Sequence, residues 1–222
     1  YAVKIMGLAH SPKIVTDGLV LCLDAADLKS YPGTGTTWKD RSGNVNNGTL
    51  INSPTFSNGM IVFDGADEYV NVTDSSTLDG FSSVTFEAWV NPDNTAGYRR
   101  IYDKNYNNTY NFSISNSSKF YIYINGSYSM SSATVDNGQW NHIVATYDNT
   151  SAIFYKNGIA VTTNSFSHGT VGSNSDDLRI GTNYNSNTSK FYGDIGSCKI
   201  YDKALTAAEV LQNYNALKSR FL

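Results

Sequence analysis

The stretch that decides the fold is FYGDIGSCKIYDKALTAAEV, residues 191–210. Thr206 followed by Glu209 forms a capping box, because each side chain can accept a hydrogen bond from the backbone of the other. A helix is therefore expected from Ala207 to about Leu217. The preceding residues predict a strand with two alternating faces, one with Ile195, Ser197, Lys199 and Tyr201 and the other with Gly196, Cys198 and Ile200.

Short strand patterns recur through the rest of the chain, with turn signals between them. Asn125-Gly126 and Asn157-Gly158 are the strongest hairpin turns, because Asn and Gly tolerate positive φ. Residues 30–59, punctuated by Gly and Pro, predict an irregular segment. The predicted strands are Leu19–Asp24, Ile61–Phe63, Tyr69–Val72, Val84–Val90, Arg100–Asp103, Tyr110–Ser115, Lys119–Ile124, Trp140–Tyr147, Ala152–Tyr155, Ile159–Thr162 and Leu178–Gly181.

Strands this short and closely spaced predict an all-β, antiparallel two-sheet sandwich, with a short C-terminal helix after the last strand. The 222 residues are enough for one large domain, which we place at 19–222. Residues 1–18 are expected to form either an N-terminal arm or the sandwich's own edge strand. As an arm, they would add a strand to a partner sheet. The apolar residues that would dock are Val3, Ile5, Ile14 and Val15.

Charge and hydropathy argue against two classes of partner. Charged residues make up 16% of the chain and the net charge is −3, so electrostatics do not favour nucleic acid or an anionic membrane surface. No apolar run approaches the ~20 residues of a membrane-spanning helix. The first ten residues lack the apolar region of a signal peptide, and none is expected.

Several segments together carry a family resemblance. In chain order they are GLVLCLDAADLKSY (18–31), TTWKDRSGNVNNGTL (36–50), IVFDGADEYVNV (61–72), VTFEAWVNP (84–92), QWNHIVATYD (139–148), FYKNGIAV (154–161), LRIGTN (178–183) and the closing stretch. This series resembles laminin-G-like domains of the concanavalin A-like lectin/glucanase superfamily, which implies a jelly-roll sandwich. The opening segment also resembles a variant in phage and marine microbial surface proteins, which implies an extracellular or virion-surface location.

Two cysteines, Cys22 and Cys198, lie in the first and last predicted strands. Those strands are neighbours in the fold that the resemblance implies. The pair could form a disulfide, or it could remain two buried free thiols.

The carboxylates do not fit the hydrolytic members of the superfamily. Retaining glycosidases use two carboxyl groups about 5 Å apart. The chain has three Glu: Glu209 fits the helix cap, Glu68 lies in a turn, and Glu87 has no carboxylate two or four residues away in its strand. We expect no enzymatic activity, with a glycoside hydrolase as the weakest alternative.

Tyrosines are the strongest candidates for a binding site, because sugar rings stack on aromatic faces. In FYIYI, Tyr121 and Tyr123 alternate with core residues and should lie on the outer surface. The alternative is that cross-strand tyrosine pairs only cover a sheet. The glycan-binding candidates are Tyr98, Arg100, Tyr102, Tyr121, Tyr123 and Tyr128, with Tyr184 in a rim loop.

Calcium is a weaker expectation. The resemblance implies that oxygen ligands could hold Ca²⁺, and Asp64, Asp67 and Asp194 are the candidates. Asp64 and Asp67 could equally shape a turn through their side chains. Where relatives often carry an acidic residue in the closing stretch, this chain has Gly196.

Two functions follow from these patterns. The first is a non-enzymatic, lectin-like display module that binds a glycan at an extracellular or virion surface. The second is a structural assembly subunit without sugar binding, held by a protein partner or by further copies of the chain. No cofactor other than calcium is expected.

Overall fold

The computed structural model describes residues 12–185 and 189–222. Across these ranges the chain forms sixteen strands, one α-helix (α1, Ala207–Leu217) and a 3₁₀ turn (Lys218–Arg220). The strands are β1 (Leu19–Asp24), β2 (Thr37–Trp38), β3 (Gly48–Ile51), β4 (Thr55–Ser57), β5 (Met60–Asp64), β6 (Tyr69–Val72), β7 (Val84–Pro92), β8 (Arg99–Lys104), β9 (Tyr110–Ile114), β10 (Lys119–Ile124), β11 (Ser127–Thr134), β12 (Asn141–Tyr147), β13 (Ser151–Lys156), β14 (Ile159–Ser165), β15 (Leu178–Ile180) and β16 (Tyr192–Tyr201).

The strands form two antiparallel sheets of eight strands each. The first sheet has the order β14-β13-β12-β7-β16-β5-β4, and β1 pairs with the C-terminal half of β16. The second has the order β11-β10-β9-β8-β15-β6-β3-β2. The main apolar core lies between the sheets and includes Phe86 of β7, Phe112 of β9 and Phe154 of β13. The predicted two-sheet sandwich with a C-terminal helix is confirmed.

The helix begins where the capping box predicts. The Glu209 amide donates to Thr206 Oγ1 at 3.3 Å, and the Thr206 amide donates to Glu209 Oε2 at 2.8 Å. These two bonds satisfy amides that would otherwise have no partner at the helix start. No helix of the described part is both long and apolar enough to cross a bilayer.

The local turn predictions also hold, whereas weakly patterned strands were missed. Asn125-Gly126 and Asn157-Gly158 both take positive φ, between 51° and 81°. The segment predicted to be irregular contains β2, β3 and β4. Strand β11 was missed as well, because its sequence SYSMSSAT is rich in serine and has little apolar alternation.

The predicted faces of β16 are wrong at Ile195. This residue packs in the same core as Cys198, because the pairing register with β7 shifts between Ile195 and Ser197. A β-bulge of this kind turns the following side chains to the opposite face. Gly196 lies at the shift, and a Cβ there would be 2.4 Å from Cε1 of Phe221. An alanine at this position would therefore force the Phe221 ring to shift.

A buried polar cluster holds α1 on the outer face of the first sheet. Glu87 Oε1 accepts from Lys199 Nζ at 2.9 Å, and Glu87 Oε2 accepts from Asn213 Nδ2 of α1 at 2.6 Å. His142 Nε2 lies 3.3 Å from Oε1. Burial raises the Glu87 pKa, but Lys199 and His142 outweigh burial and hold it at about 2. Glu87 is therefore ionised in this cluster at neutral pH.

The segment just before β1 packs against its own domain. The Val15 amide donates to Asn213 Oδ1 at 2.7 Å, and the Val15 carbonyl accepts from Tyr201 Oη at 3.2 Å. Residues 12–18 form no strand, so the edge-strand alternative is wrong for them. Val15 is buried and Ile14 packs beside it, so neither is free to dock on a partner sheet. Val3 and Ile5 lie outside the described residues.

The two cysteines lie on opposite faces of the first sheet. In the pairing of β1 with β16, Cys22 is opposite Lys199 and Cys198 is opposite Leu23. Cys22 faces the cluster beneath α1, whereas Cys198 faces the core between the sheets. Both are free and buried, so the disulfide alternative is wrong. Burial raises the pKa of each thiol to about 12, which keeps both protonated at neutral pH.

Candidate functional site

The outer face of the second sheet presents a row of tyrosines. Across the sheet, Tyr121 of β10 is opposite Ser113 of β9 and Met130 of β11. Tyr123 is opposite Asn111 and Tyr128 on the same two strands. The alternate residues of β10 fill the core, as the sequence predicts: Phe120, Ile122 and Ile124.

Four tyrosine rings form one continuous aromatic surface. Ring centroids are 6.2 Å apart for Tyr98 and Tyr121, 5.9 Å for Tyr121 and Tyr123, and 5.7 Å for Tyr123 and Tyr128. With Met130 these rings line a groove of about 190 Å³, which we call the tyrosine groove. The two end residues are the accessible ones, since Tyr98 is 48% exposed and Tyr128 is 59% exposed.

Two further tyrosines extend this surface towards the loop after β15. The ring of Tyr106 lies 5.1 Å from that of Tyr123, and the ring of Tyr184 lies 6.5 Å from that of Tyr106. Both side chains are half-buried. The predicted rim residue Tyr184 therefore adjoins the groove through Tyr106.

Arg100 lies beneath the groove and orients it. Its Nη1 donates to Tyr121 Oη at 2.8 Å and to Ser113 Oγ at 3.2 Å. Its Nε lies 3.1 Å from Asp103 Oδ2, and its guanidinium lies 5.1 Å from the ring centre of Tyr106. Only 7% of Arg100 is exposed, so its guanidinium holds the Tyr121 side chain in place and is not accessible to a ligand in the groove.

Asp103 compensates the charge of Arg100. It is fully buried on the outer side of β8, opposite Asn111 of β9 and Arg179 of β15. Burial raises the pKa of Asp103 to about 7, although Arg100, two backbone amides and Arg179 act to lower it. Asp103 is thus poised between its two protonation states near neutral pH.

Arg99 positions the loop that carries Tyr98. Its Nε donates to the Asn94 carbonyl at 2.9 Å, and its Nη2 donates to the Ala96 carbonyl at 3.0 Å. These bonds tie the guanidinium to the backbone of the loop. Arg99 therefore supports Tyr98 and does not present a free positive charge to the groove.

One predicted binding residue lies elsewhere. Tyr102 is fully buried between the sheets, where its hydroxyl donates to the Glu87 carbonyl at 2.7 Å. The register of β8 against β9 shifts between Arg100 and Tyr102, so the two side chains do not share a face. Tyr102 is a core residue, and the prediction that it contacts a glycan is wrong.

Sequence reasoning also missed residues that build the site. Met130 lines the groove from β11, the strand with the weak pattern. Asp103 and Ser113 contact Arg100. The sequence already places Tyr106 in the same tyrosine cluster as the predicted binding residues, and the structure brings its ring beside Arg100.

The aspartates predicted to hold calcium do not form a site. Asp64 Oδ1 accepts the Ala66 amide at 2.7 Å and so closes a turn. Asp194 Oδ2 accepts from Asn91 Nδ2 at 3.2 Å, and Asp67 is exposed. In the part of the chain that the structure describes, no three His, Cys, Asp or Glu side chains form a group that could hold a metal ion.

Comparison with known families agrees with this architecture. The laminin G model of the concanavalin A-like lectin/glucanases superfamily matches residues 64–211. No curated protein matches the chain.

Solved structures share the fold at low sequence identity. Domain 4 of AbnA, an extracellular arabinanase from Geobacillus stearothermophilus in complex with arabinotriose, has a TM-score of 0.70 at 17% identity, covering 88% of this chain and 98% of that one. Trypanosoma rangeli sialidase in complex with the inhibitor DANA has a TM-score of 0.70 at 13% identity, covering 96% and 36%. The binding domain of Paraclostridial Mosquitocidal Protein 1 has a TM-score of 0.67 at 17% identity, covering 90% and 52%. The chain thus spans about a third of the sialidase and about half of the mosquitocidal domain.

Proposed function

Because the chain belongs to the concanavalin A-like lectin/glucanases superfamily, we propose that it binds carbohydrate through the tyrosine groove. The observation that carries the proposal is the pair of exposed rings, Tyr98 and Tyr128, at the ends of a continuous aromatic surface. Aromatic faces pack on the C–H faces of sugars, and phenol hydroxyls can donate to and accept from sugar hydroxyls.

The size of the groove favours a short sugar. Its volume of about 190 Å³ is below the roughly 300–1,000 Å³ of pockets for drug-sized ligands. Tyr121 is only 2% exposed and forms the floor of the groove, so a sugar of one or two rings would contact Tyr98, Tyr123 and Tyr128. Among the neighbours, domain 4 of AbnA was solved with a short oligosaccharide, arabinotriose, which is at least one ring longer than the one or two rings that the groove itself would hold.

We further propose that this binding is non-catalytic, because each glutamate has a structural partner. Glu87 is buried against Lys199. Glu68 Oε2 accepts the Asp64 amide at 2.8 Å, and Glu209 closes the helix cap. These side chains leave no pair of free glutamates to act as nucleophile and acid.

The proposal is tested by Tyr98→Ala and Tyr128→Ala, with Tyr192→Ala as the matched control. Tyr192 is a 41% exposed tyrosine of β16 in the first sheet, away from the groove. Covering about 80 Å² of a ring at about 25 cal/mol per Å² contributes about 2 kcal/mol, or about 30-fold in the dissociation constant.

A broad array of soluble oligosaccharides identifies the ligand, and titration calorimetry measures its affinity for each variant. Each groove variant should weaken binding 10- to 30-fold, whereas Tyr192→Ala should leave the affinity within about twofold of the wild-type chain. An array without a ligand, or equal losses in all three variants, would contradict the proposal.

The location and the assembly are proposals of the same kind. The secreted arabinanase among the neighbours supports an extracellular location. Display on a virion or another surface rests on the resemblance of the opening residues to phage and marine microbial proteins. The alternative, an assembly subunit without sugar binding, also stays a prediction from the sequence. Residues 12–18 pack on their own domain, so this part of the predicted arm is not free to dock on a partner.

A further inference from the structure

We propose that the tyrosine groove selects neutral sugars over acidic ones, and that Asp103 sets this selectivity by neutralising Arg100 beneath Tyr121. The inference rests on the proposed sugar-binding function. It adds the chemical class of the ligand, neutral sugars, and it assigns a role in selectivity to Asp103, which does not line the groove.

The walls of the groove offer hydrogen bonds without charge. They consist of four tyrosines and Met130. A phenol hydroxyl both donates and accepts, so it can pair with the hydroxyls of a neutral sugar. A sugar carboxylate that enters the groove would lose its hydration water and would find no unpaired cationic side chain to compensate its charge. Desolvation of an uncompensated charge is strongly unfavourable.

The two arginines nearest the groove are both engaged. Arg99 is tied to the carbonyls of the loop that carries Tyr98. Arg100 is buried, with Asp103 at 3.1 Å from its Nε and the Tyr121 hydroxyl at 2.8 Å from its Nη1. When Asp103 is ionised, as at pH 8, its carboxylate balances the positive charge of Arg100.

Asp103 is the group whose loss would uncover this charge. The side chain of Asp103 is fully buried and that of Arg100 is 8% exposed, so water screens their interaction little. Without the carboxylate, Arg100 would present an uncompensated charge behind a single layer of tyrosine rings. An acidic sugar in the groove would then gain a favourable electrostatic interaction over a short distance.

The first experiment uses the wild-type chain and matched pairs of oligosaccharides. Each pair consists of an acidic trimer, such as tri-galacturonic acid, and the same trimer after reduction of its carboxyl groups. Several backbones are compared by titration calorimetry at pH 8. The neutral member of every binding pair should bind at least tenfold more tightly.

The outcomes separate this inference from the proposed function. Binding of neutral members alone, or with at least a tenfold preference, supports both. Acidic members that bind equally well or better overturn the selectivity while leaving sugar binding intact. If no member of any pair binds, the proposed function itself fails, and the inference fails with it.

The second experiment tests the role of Asp103. Asp103→Asn should raise the ratio of acidic to neutral affinity about tenfold and make acidic binding weaken as salt is added. Asp194→Asn in the first sheet is the matched control and should leave the ratio unchanged. A ratio that does not move in a folded Asp103→Asn variant, judged by circular dichroism, overturns the assignment to Asp103.

If Asp103→Asn does not fold, the role of Asp103 can be tested on the wild-type chain by measuring the ratio of acidic to neutral affinity at two pH values. Asp103 has a pKa raised to about 7 by burial, so it is largely protonated at pH 5.5 while a sugar carboxylate stays ionised. Its charged neighbours are the guanidinium groups of Arg100 and Arg179. The neighbouring phenols are Tyr110, which lies in the core between the sheets, and Tyr184, and burial raises the pKa of each. The affinity ratio of the wild-type chain should therefore rise between pH 8 and pH 5.5, and a constant ratio would contradict the role of Asp103.

Discussion

Replacement of Glu87 by Gln tests whether the buried polar cluster holds helix α1 on the first sheet. The carboxylate accepts hydrogen bonds from Lys199 at 2.9 Å and from Asn213 of α1 at 2.6 Å. Glutamine has the same shape but no charge. It must also turn its NH₂ group towards Lys199 or Asn213, both of which are donors here.

The size of the effect follows from the burial of the remaining charge. The Lys199 side chain is 1% exposed, and Ser197 Oγ at 3.1 Å would be its remaining hydrogen-bond partner. Removal of one member of a buried ion pair destabilises proteins by about 3–5 kcal/mol. We therefore expect the free energy of unfolding to fall by about 4 kcal/mol, a large share of the ~5–15 kcal/mol of a typical domain.

Urea unfolding followed by tryptophan fluorescence measures this change. Trp89 reports on the cluster, since its ring centroid lies 5.0 Å from that of His142 and 4.4 Å from that of Phe221. The double variant Glu87→Gln with Lys199→Met removes both charges and should recover most of the loss. A loss below about 1 kcal/mol in the single variant, or no recovery in the double variant, would refute the reasoning.

The same experiment has a defined pH dependence. The Glu87 pKa is lowered from 4.5 to about 2, because Lys199 and His142 outweigh the effect of burial. The stabilisation is therefore complete above pH 4.5 and is lost as the pH falls towards 2. The difference in unfolding free energy between the wild-type chain and Glu87→Gln should shrink over that range.

The structure also predicts how two other changes, Gly196→Ala and the ionisation of Asp103, affect the stability of the domain. Gly196→Ala should destabilise the domain by about 1–3 kcal/mol, because its Cβ would lie 2.4 Å from Phe221 Cε1. Thermal unfolding measures this loss, and an unchanged midpoint would contradict the expectation. Burial raises the Asp103 pKa from 3.8 to about 7, so the unfolding free energy should fall by up to about 4 kcal/mol as the pH rises from 4 to 7. Asp103→Asn should remove that fall, which urea midpoints at several pH values would reveal.

The sequence predicted the features that depend on residues close together in the chain. The capping box at Thr206 and the Asn-Gly turns each lie within four residues. The alternation that places Phe120, Ile122 and Ile124 in the main core and turns Tyr121 and Tyr123 to the other face spans the five residues of FYIYI. Such patterns follow from the geometry of one helix turn, one hairpin or one strand. Most of the fold could be predicted in this way, and the sequence also identified four of the five residues that line the groove, all except Met130.

The two errors about which face a side chain takes arose at β-bulges. Alternation along β8 predicts that Arg100 and Tyr102 share a face, and alternation along β16 predicts the same of Ile195 and Ser197. In both strands the register shifts between the two residues. A bulge depends on how neighbouring strands pair, and those strands come from distant parts of the chain.

The sequence by itself determined the two-layer sandwich, the C-terminal helix and the tyrosine-rich surface, because each depends on local propensity and the alternation of apolar residues. Only the tertiary structure decided which side chains meet. Strand pairing brings Tyr128 and Met130 beside Tyr121 and Tyr123, and it places Asp103 under the charge of Arg100. The groove and its charge balance are therefore products of sheet register, which is fixed by the fit of the whole core and not by any single segment.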